Sequence, residues 1–151
     1  MTKKLNFRLF SFLLILAISP LGLAEISPQG SIAKGDYEVH YSLFPSTFIK
    51  PEIAAAYKLK RSKYETLLNI SVTPKGEYGG LEAGLSGTTT NMLQQQKQLK
   101  FIEIKEENVV YYLAPVRISG EEIIKFSVDV NVKEASAPFT IKFSSKLYSD
   151  K

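Results

Sequence analysis

The chain has no cysteine, no tryptophan and a single histidine among its 151 residues. Each lack removes a class of chemistry. Without cysteine there is no disulfide, no thiol nucleophile, no thiolate zinc site and no iron–sulfur cluster. With His40 alone, zinc, copper or iron sites built on several imidazoles are excluded. No GxGxxG or GxxxxGK[ST] loop opens a helix, so the usual nucleotide cradles are missing. The expectation is a chain with no metal ligand set, no cofactor and no assigned catalytic residue.

Long apolar runs are also scarce. The one run that stands out, LFSFLLILAI at 9–18, is ten residues long. That is too short to span a bilayer, which takes roughly 20 residues. Lys3, Lys4 and Arg8 precede it, Pro20 breaks it, and Gly22 and Ala24 set small residues ahead of Glu25. This is the layout of a cleaved secretory signal peptide over 1–24, followed by one domain over 25–151. No transmembrane span is expected after cleavage. Lipid attachment through an N-terminal cysteine is excluded by composition. Export without cysteine fits a bacterial periplasm.

Charge of one sign is missing too. The chain carries 19 basic and 15 acidic side chains. Three of the cations lie in the export segment, so 19 less three, or 16, face 15 in the remainder. The basic balance therefore belongs mostly to the signal, and no single-sign field is left to hold nucleic acid.

What is present is alternation. Tyr37, Val39, Tyr41 and Leu43 alternate with Glu38, His40 and Ser42. Ile124, Phe126, Val128, Val130 and Val132 alternate with Lys125, Ser127, Asp129 and Asn131. Period-two patterns of β-formers predict half-buried strands. Further strands are predicted over 64–73, 81–90, 98–106, 109–118 and 139–147, with 25–34 a flexible leader or weakly paired strand. That makes about seven strands with a turn signal every 8–12 residues or so, the spacing of an antiparallel immunoglobulin-like β-sandwich. One helix interrupts it. Pro51 and Glu52 suit a first turn, and IAAAY at 53–57 has high helix propensity. The helix falls between the first two predicted strands and is expected to pack through Ile53, Ala56 and Tyr57.

Paired carboxylates are present but badly placed. Glu121 and Glu122 are adjacent, as are Glu106 and Glu107, and neighbours in a strand point to opposite faces. Lys58, Lys60, Arg61 and Lys63 form the densest basic cluster, without the aromatic interleaving of single-strand nucleic-acid binders. His40 shares the polar face of its strand with Glu38 and Ser42. No serine sits on a G-x-S-x-G elbow, so a Ser–His–acid triad has no motif behind it.

Over 35–72 the residues become distinctive: GDY-x-VHY, then STF-x-x-PE-x-A-x-AY, then RSK and NISV. With SGT at 86–88, YYLA at 111–114 and FS-x-x-LY at 143–148, they resemble an exported proteobacterial family, domain of unknown function 4426. The resemblance implies a periplasmic all-β domain of this length with no established activity. It carries over His40, Ser46, Thr47, Pro51, Glu52, Tyr57, Arg61, Ser62 and Asn69 as candidate positions and assigns no role to any of them.

The sequence thus fits a periplasmic non-enzymatic binding or interaction module, with His40, Ser46, Thr47, Tyr57, Arg61, Ser62 and Asn69 as its candidate binding residues. The partner would be an envelope protein or a small ligand. The alternative is a small hydrolase or ligand-binding protein using His40, which predicts a pocket lined by His40, Tyr57 and Arg61. A third reading is a structural or stress-related envelope protein.

Overall fold

The computed structural model describes residues 28–149; the predicted signal segment lies outside them. Two antiparallel sheets pack face to face. One has five strands: β1 (Gln29–Lys34), β2 (Tyr37–Pro45), β3 (Glu65–Pro74), β7 (Val109–Arg117) and β6 (Ile102–Glu106), in that spatial order. The other has four: β5 (Gln96–Gln98), β4 (Ala83–Thr90), β8 (Glu121–Val132) and β9 (Phe139–Tyr148). A 3-10 turn (Ser46–Phe48) and the short helix α1 (Pro51–Ala56) join β2 to β3.

The core follows from the alternation. Val39, Leu68, Ile70, Val72, Tyr112, Ala114 and Val116 turn inward from the larger sheet, meeting Phe126, Val128, Val130, Ile141 and Leu147 from the smaller. Burying each Val, Ile, Leu or Phe side chain contributes about 1.5–3 kcal/mol. Aromatic stacking ties the sheets together where β2 faces β9. The Tyr41 and Phe143 rings lie 3.9 Å apart and nearly parallel, and Phe143 stacks in turn on Phe126 at 4.8 Å. Among the described residues no helix is long and apolar enough to cross a membrane.

The β-sandwich is the expected class, but it has nine strands where about seven were predicted. Residues 29–34 form a true edge strand, paired over its whole length with β2. The helix therefore falls between the second and third strands. The single strand predicted over 98–106 is two, β5 and β6, on different sheets. The chain changes sheets at Leu99, which is buried, with its amide donating to the Gly87 carbonyl at 2.8 Å. An apolar residue needed between the layers looks the same in sequence as one inside a continuous strand.

The helix also packs differently from expectation. Ile53 is 44% exposed and Ala56 is exposed, while Ala54 is buried. Ala54 and Leu59 settle on Leu67, Leu113 and Ile104, which project from the outer face of the larger sheet. Phe44, Ile49, Tyr57, Ile102 and Tyr111 complete this second cluster. The six-residue helix is too short to turn two faces inward, so one alanine does the packing.

Candidate functional site

The predicted site residues separate into three groups. The first is a clasp. The Ser46 hydroxyl donates to the Ser62 carbonyl at 3.0 Å and accepts from the Ser62 amide at 2.9 Å. Ser46 is buried. Arg61 Nη2 donates to the Thr47 carbonyl at 2.9 Å, and the Ser62 hydroxyl accepts from the Tyr64 amide at 3.2 Å. Ser46, Thr47, Arg61 and Ser62 thus close the corner that carries the helix; their hydrogen bonds serve backbone groups. The second group is Tyr57, whose ring packs in the cluster beneath the helix. The two cavities that His40 lines include neither Tyr57 nor Arg61.

The third group is His40 and Asn69, and here the structure does assemble something. Both lie on the outer face of the larger sheet, on the part the helix leaves uncovered. The register sets Ser31 and Ser71 directly opposite His40, one on each neighbouring strand, and pairs Ser42 with Asn69. Glu38 and Thr73 pair beside them. His40 Nε2 lies 3.2 Å from the Thr73 hydroxyl, which makes a long, 3.5 Å contact to the Glu38 carbonyl. A hydroxyl donates only once. With its hydrogen turned to Glu38, the Thr73 hydroxyl presents a lone pair to His40 Nε2.

One end of this face is walled by the loop between β3 and β4. Lys75 donates from its amide to the Asp36 carbonyl at 2.8 Å, and the Ser71 hydroxyl donates to the Gly79 carbonyl at 3.3 Å. The loop then wedges between β3 and β7: the Leu81 amide donates to Val72, and the Val110 amide to Gly80. A Cβ at Gly80 would fall inside the backbone of Val110, so only glycine fits there. Gly79 takes φ +108°, which glycine tolerates without strain. The result is an arch over 75–80 with the Tyr78 side chain wholly exposed.

Two shallow cavities of about 460 Å³ each meet at His40 and Ser71, which line both. One runs under the arch past Glu38 and Thr73. The other runs toward β1, with Gln29, Ser31, Ser42 and Asn69. Asn69 Oδ1 is withdrawn from solvent there, and no described group donates to it. Most native buried polar atoms are paired, so an orphaned one calls for an explanation.

The electrostatics elsewhere are structural. Burial pushes the Tyr112 phenol above its ordinary pKa; its hydroxyl accepts from the Ala83 amide at 2.7 Å and donates to Glu103 at 3.1 Å. Tyr111 is raised by burial first and by nearby Glu106 second. Hydrogen bonding to Lys105 lowers the exposed Glu82 carboxyl, and hydrogen bonds to Glu82 and Glu103 raise Lys105. Among the described residues no group of three or more histidine, cysteine or acidic side chains could hold a metal ion. Among the described residues the His40 ring meets the Thr73 hydroxyl and neither a serine hydroxyl nor a carboxylate.

A family model described as domain of unknown function (DUF4426) matches residues 32–150. The chain belongs to the DUF4426 family. The crystal structure of a DUF4426 protein from Pseudomonas aeruginosa PAO1 is similar at 30% identity and a TM-score of 0.74, over 82% of this chain and 98% of that one. A copper-bound variant of FetP from uropathogenic Escherichia coli strain F11 shares the fold at 12% identity and a TM-score of 0.58, over 82% and 92%. FetP as isolated after expression in the Escherichia coli periplasm is alike at 13% and 0.57, over 81% and 95%. No curated protein matches the chain. For this DUF4426 protein the FetP likeness concerns the fold alone.

Sequence reasoning found His40, with Ser42 on its face, and Asn69, but not their neighbours Ser31, Ser71 and Thr73. A signal existed. With Leu68, Ile70 and Val72 inward, Asn69, Ser71 and Thr73 must face outward, on the side of His40. What was missing was the register that brings β1 and β3 against it.

Proposed function

We propose that this DUF4426 protein is an exported, non-enzymatic binding module of the periplasm. Its recognition surface is the polar groove on the outer face of β1, β2 and β3, beneath the 75–80 arch. The observation that carries this is the buried, unpartnered Asn69 Oδ1 beside His40, Ser42 and Ser71. A buried acceptor without a partner costs about 1–3 kcal/mol, which a ligand donor would restore.

The groove is lined mainly by neutral hydrogen-bonding groups, with the carboxylates of Glu38 and Glu77 at the arch end and the exposed Tyr78 ring above. That chemistry suits a small, neutral, polar ligand rich in hydroxyl or amide groups; an aromatic ring supplies apolar contact area and a hydroxyl together. The signal-peptide layout supports a periplasmic location, and FetP, which shares the fold, was expressed in that compartment.

The test is photocrosslinking in intact cells with a photoreactive residue at Tyr78, and at the exposed Tyr148 on the other sheet as control. A small ligand trapped at 78 and not at 148 supports the groove. Equal trapping at both positions, or trapping at neither, counts against it.

A further inference from the structure

The sandwich opens at its other end, where β3 begins and β7 finishes. A third cavity of about 460 Å³ lies there between the sheets. Its lining is mixed: the buried Val116, Ile118 and Ile124 stand among polar residues that include Asn91, Gln95 and Ser119. The Ile118 amide donates to the Tyr64 carbonyl at 2.9 Å, and Tyr64 lines the wall.

Thr89 brings a hydroxyl to the buried part of this cavity. It follows Leu85 and Gly87 on the inward face of β4 and is only 7% exposed. Its hydroxyl makes no hydrogen bond to another described residue. The register pairs Lys97 of β5 directly with Thr89, so both side chains leave the same face of the sheet. Arg117 also lines the cavity. Among the described residues neither Lys97 nor Arg117 is in an ion pair. The one acid in the lining is Glu122, which keeps its charge while its Oε2 accepts from the Ser119 amide at 2.9 Å, so the two cations outnumber it.

A cavity with buried apolar side chains, a hydroxyl, and two cations against one carboxylate is complementary to an anion with an apolar body. We propose that this cavity binds a small amphiphilic carboxylate. The carboxylate accepts from the Lys97 ammonium and the Thr89 hydroxyl, and the apolar body covers Val116, Ile118 and Ile124. Charge-assisted hydrogen bonds are the stronger kind, and the apolar contact adds in proportion to area. The volume falls in the range of small-ligand pockets, about 300–1,000 Å³. The site shares no lining residue with the His40 groove and stands or falls apart from it.

The experiment titrates the purified protein with octanoate, acetate and 1-octanol, read by calorimetry and by the methyl resonances of Ile118 and Ile124. Octanoate is expected to bind saturably and shift both isoleucines. Acetate lacks the body and octanol lacks the charge; each should bind about tenfold more weakly or less, the factor that about 1.4 kcal/mol represents. Lys97 is exposed, so Lys97→Gln keeps the fold, and it should weaken octanoate about tenfold while leaving octanol unchanged. Thr89→Val should act in the same direction. Equal binding of octanoate and octanol, no effect of Lys97→Gln, or no saturable shift at Ile118 and Ile124 would each overturn the proposal.

Discussion

Ser46 and Ser62 hold each other by two hydrogen bonds, one hydroxyl serving both the amide and the carbonyl of its partner at 2.9 and 3.0 Å. The pair gives the corner that stands out in the sequence a structural part to play. It is the stitch that lets an unstable two-turn helix cover Leu67, Ile104 and Leu113.

Ser46→Ala should therefore destabilise the fold. It leaves the Ser62 backbone groups without their partner, a loss of about 1–3 kcal/mol. Urea unfolding followed by circular dichroism measures this. An unchanged midpoint would mean the stitch is dispensable.

Gly80→Ala should also destabilise, for a steric reason. The added methyl meets the Val110 backbone, which belongs to β7 and cannot swing aside as a side chain would. Overpacking of this kind costs about 1–3 kcal/mol, and relief would come by lifting the arch from the sheet. Thermal unfolding gives the stability change, and amide exchange at Leu81 and Val110 reports the lifting. Full protection at both amides would refute it.

Alkaline pH should weaken the fold through Tyr112. Its phenol is held neutral above the ordinary value, chiefly by burial. The neutral form therefore contributes stability that is complete below about pH 10, the unfolded value, and is lost as pH rises through the folded one. Tyr111 shifts in the same direction and adds to the effect. Denaturation midpoints measured across that range should fall for the native protein and fall less for Tyr112→Phe. A parallel fall in both proteins would assign the loss elsewhere.

Much of the fold is legible in the residues. The strands alternate so regularly that Val39, Ile70, Val128 and Ile141 declare the core and the sandwich. Three things are hidden, each set by contacts distant in sequence. Leu99 reads as one more apolar strand residue, and only the Gly87 partner shows that the chain changes sheets there. Ile53 reads as the packing residue of the helix, yet the sheet beneath leaves room only for Ala54. His40 stands out as a singular residue, but its neighbours Ser31 and Ser71 come from strands whose register depends on two separate turns.

Asn69→Leu should raise stability and abolish binding together. The change removes an unpaired buried acceptor and adds a better β-former opposite Leu113, for a gain of about 1 kcal/mol. Stability gained at the expense of function is the mark of a site shaped for a ligand. Chemical denaturation of the two proteins decides it, and a less stable leucine variant would mean that Asn69 serves the fold.

The most direct measurement is nuclear magnetic resonance of the Asn69 side-chain amide and the His40 ring while a panel of mono- and disaccharides is titrated in. The groove predicts saturable shifts at both residues for at least one sugar, with Ser71 moving alongside and the Asn69→Leu protein unresponsive. Shifts confined to other surfaces, or none at either residue across the panel, would contradict it.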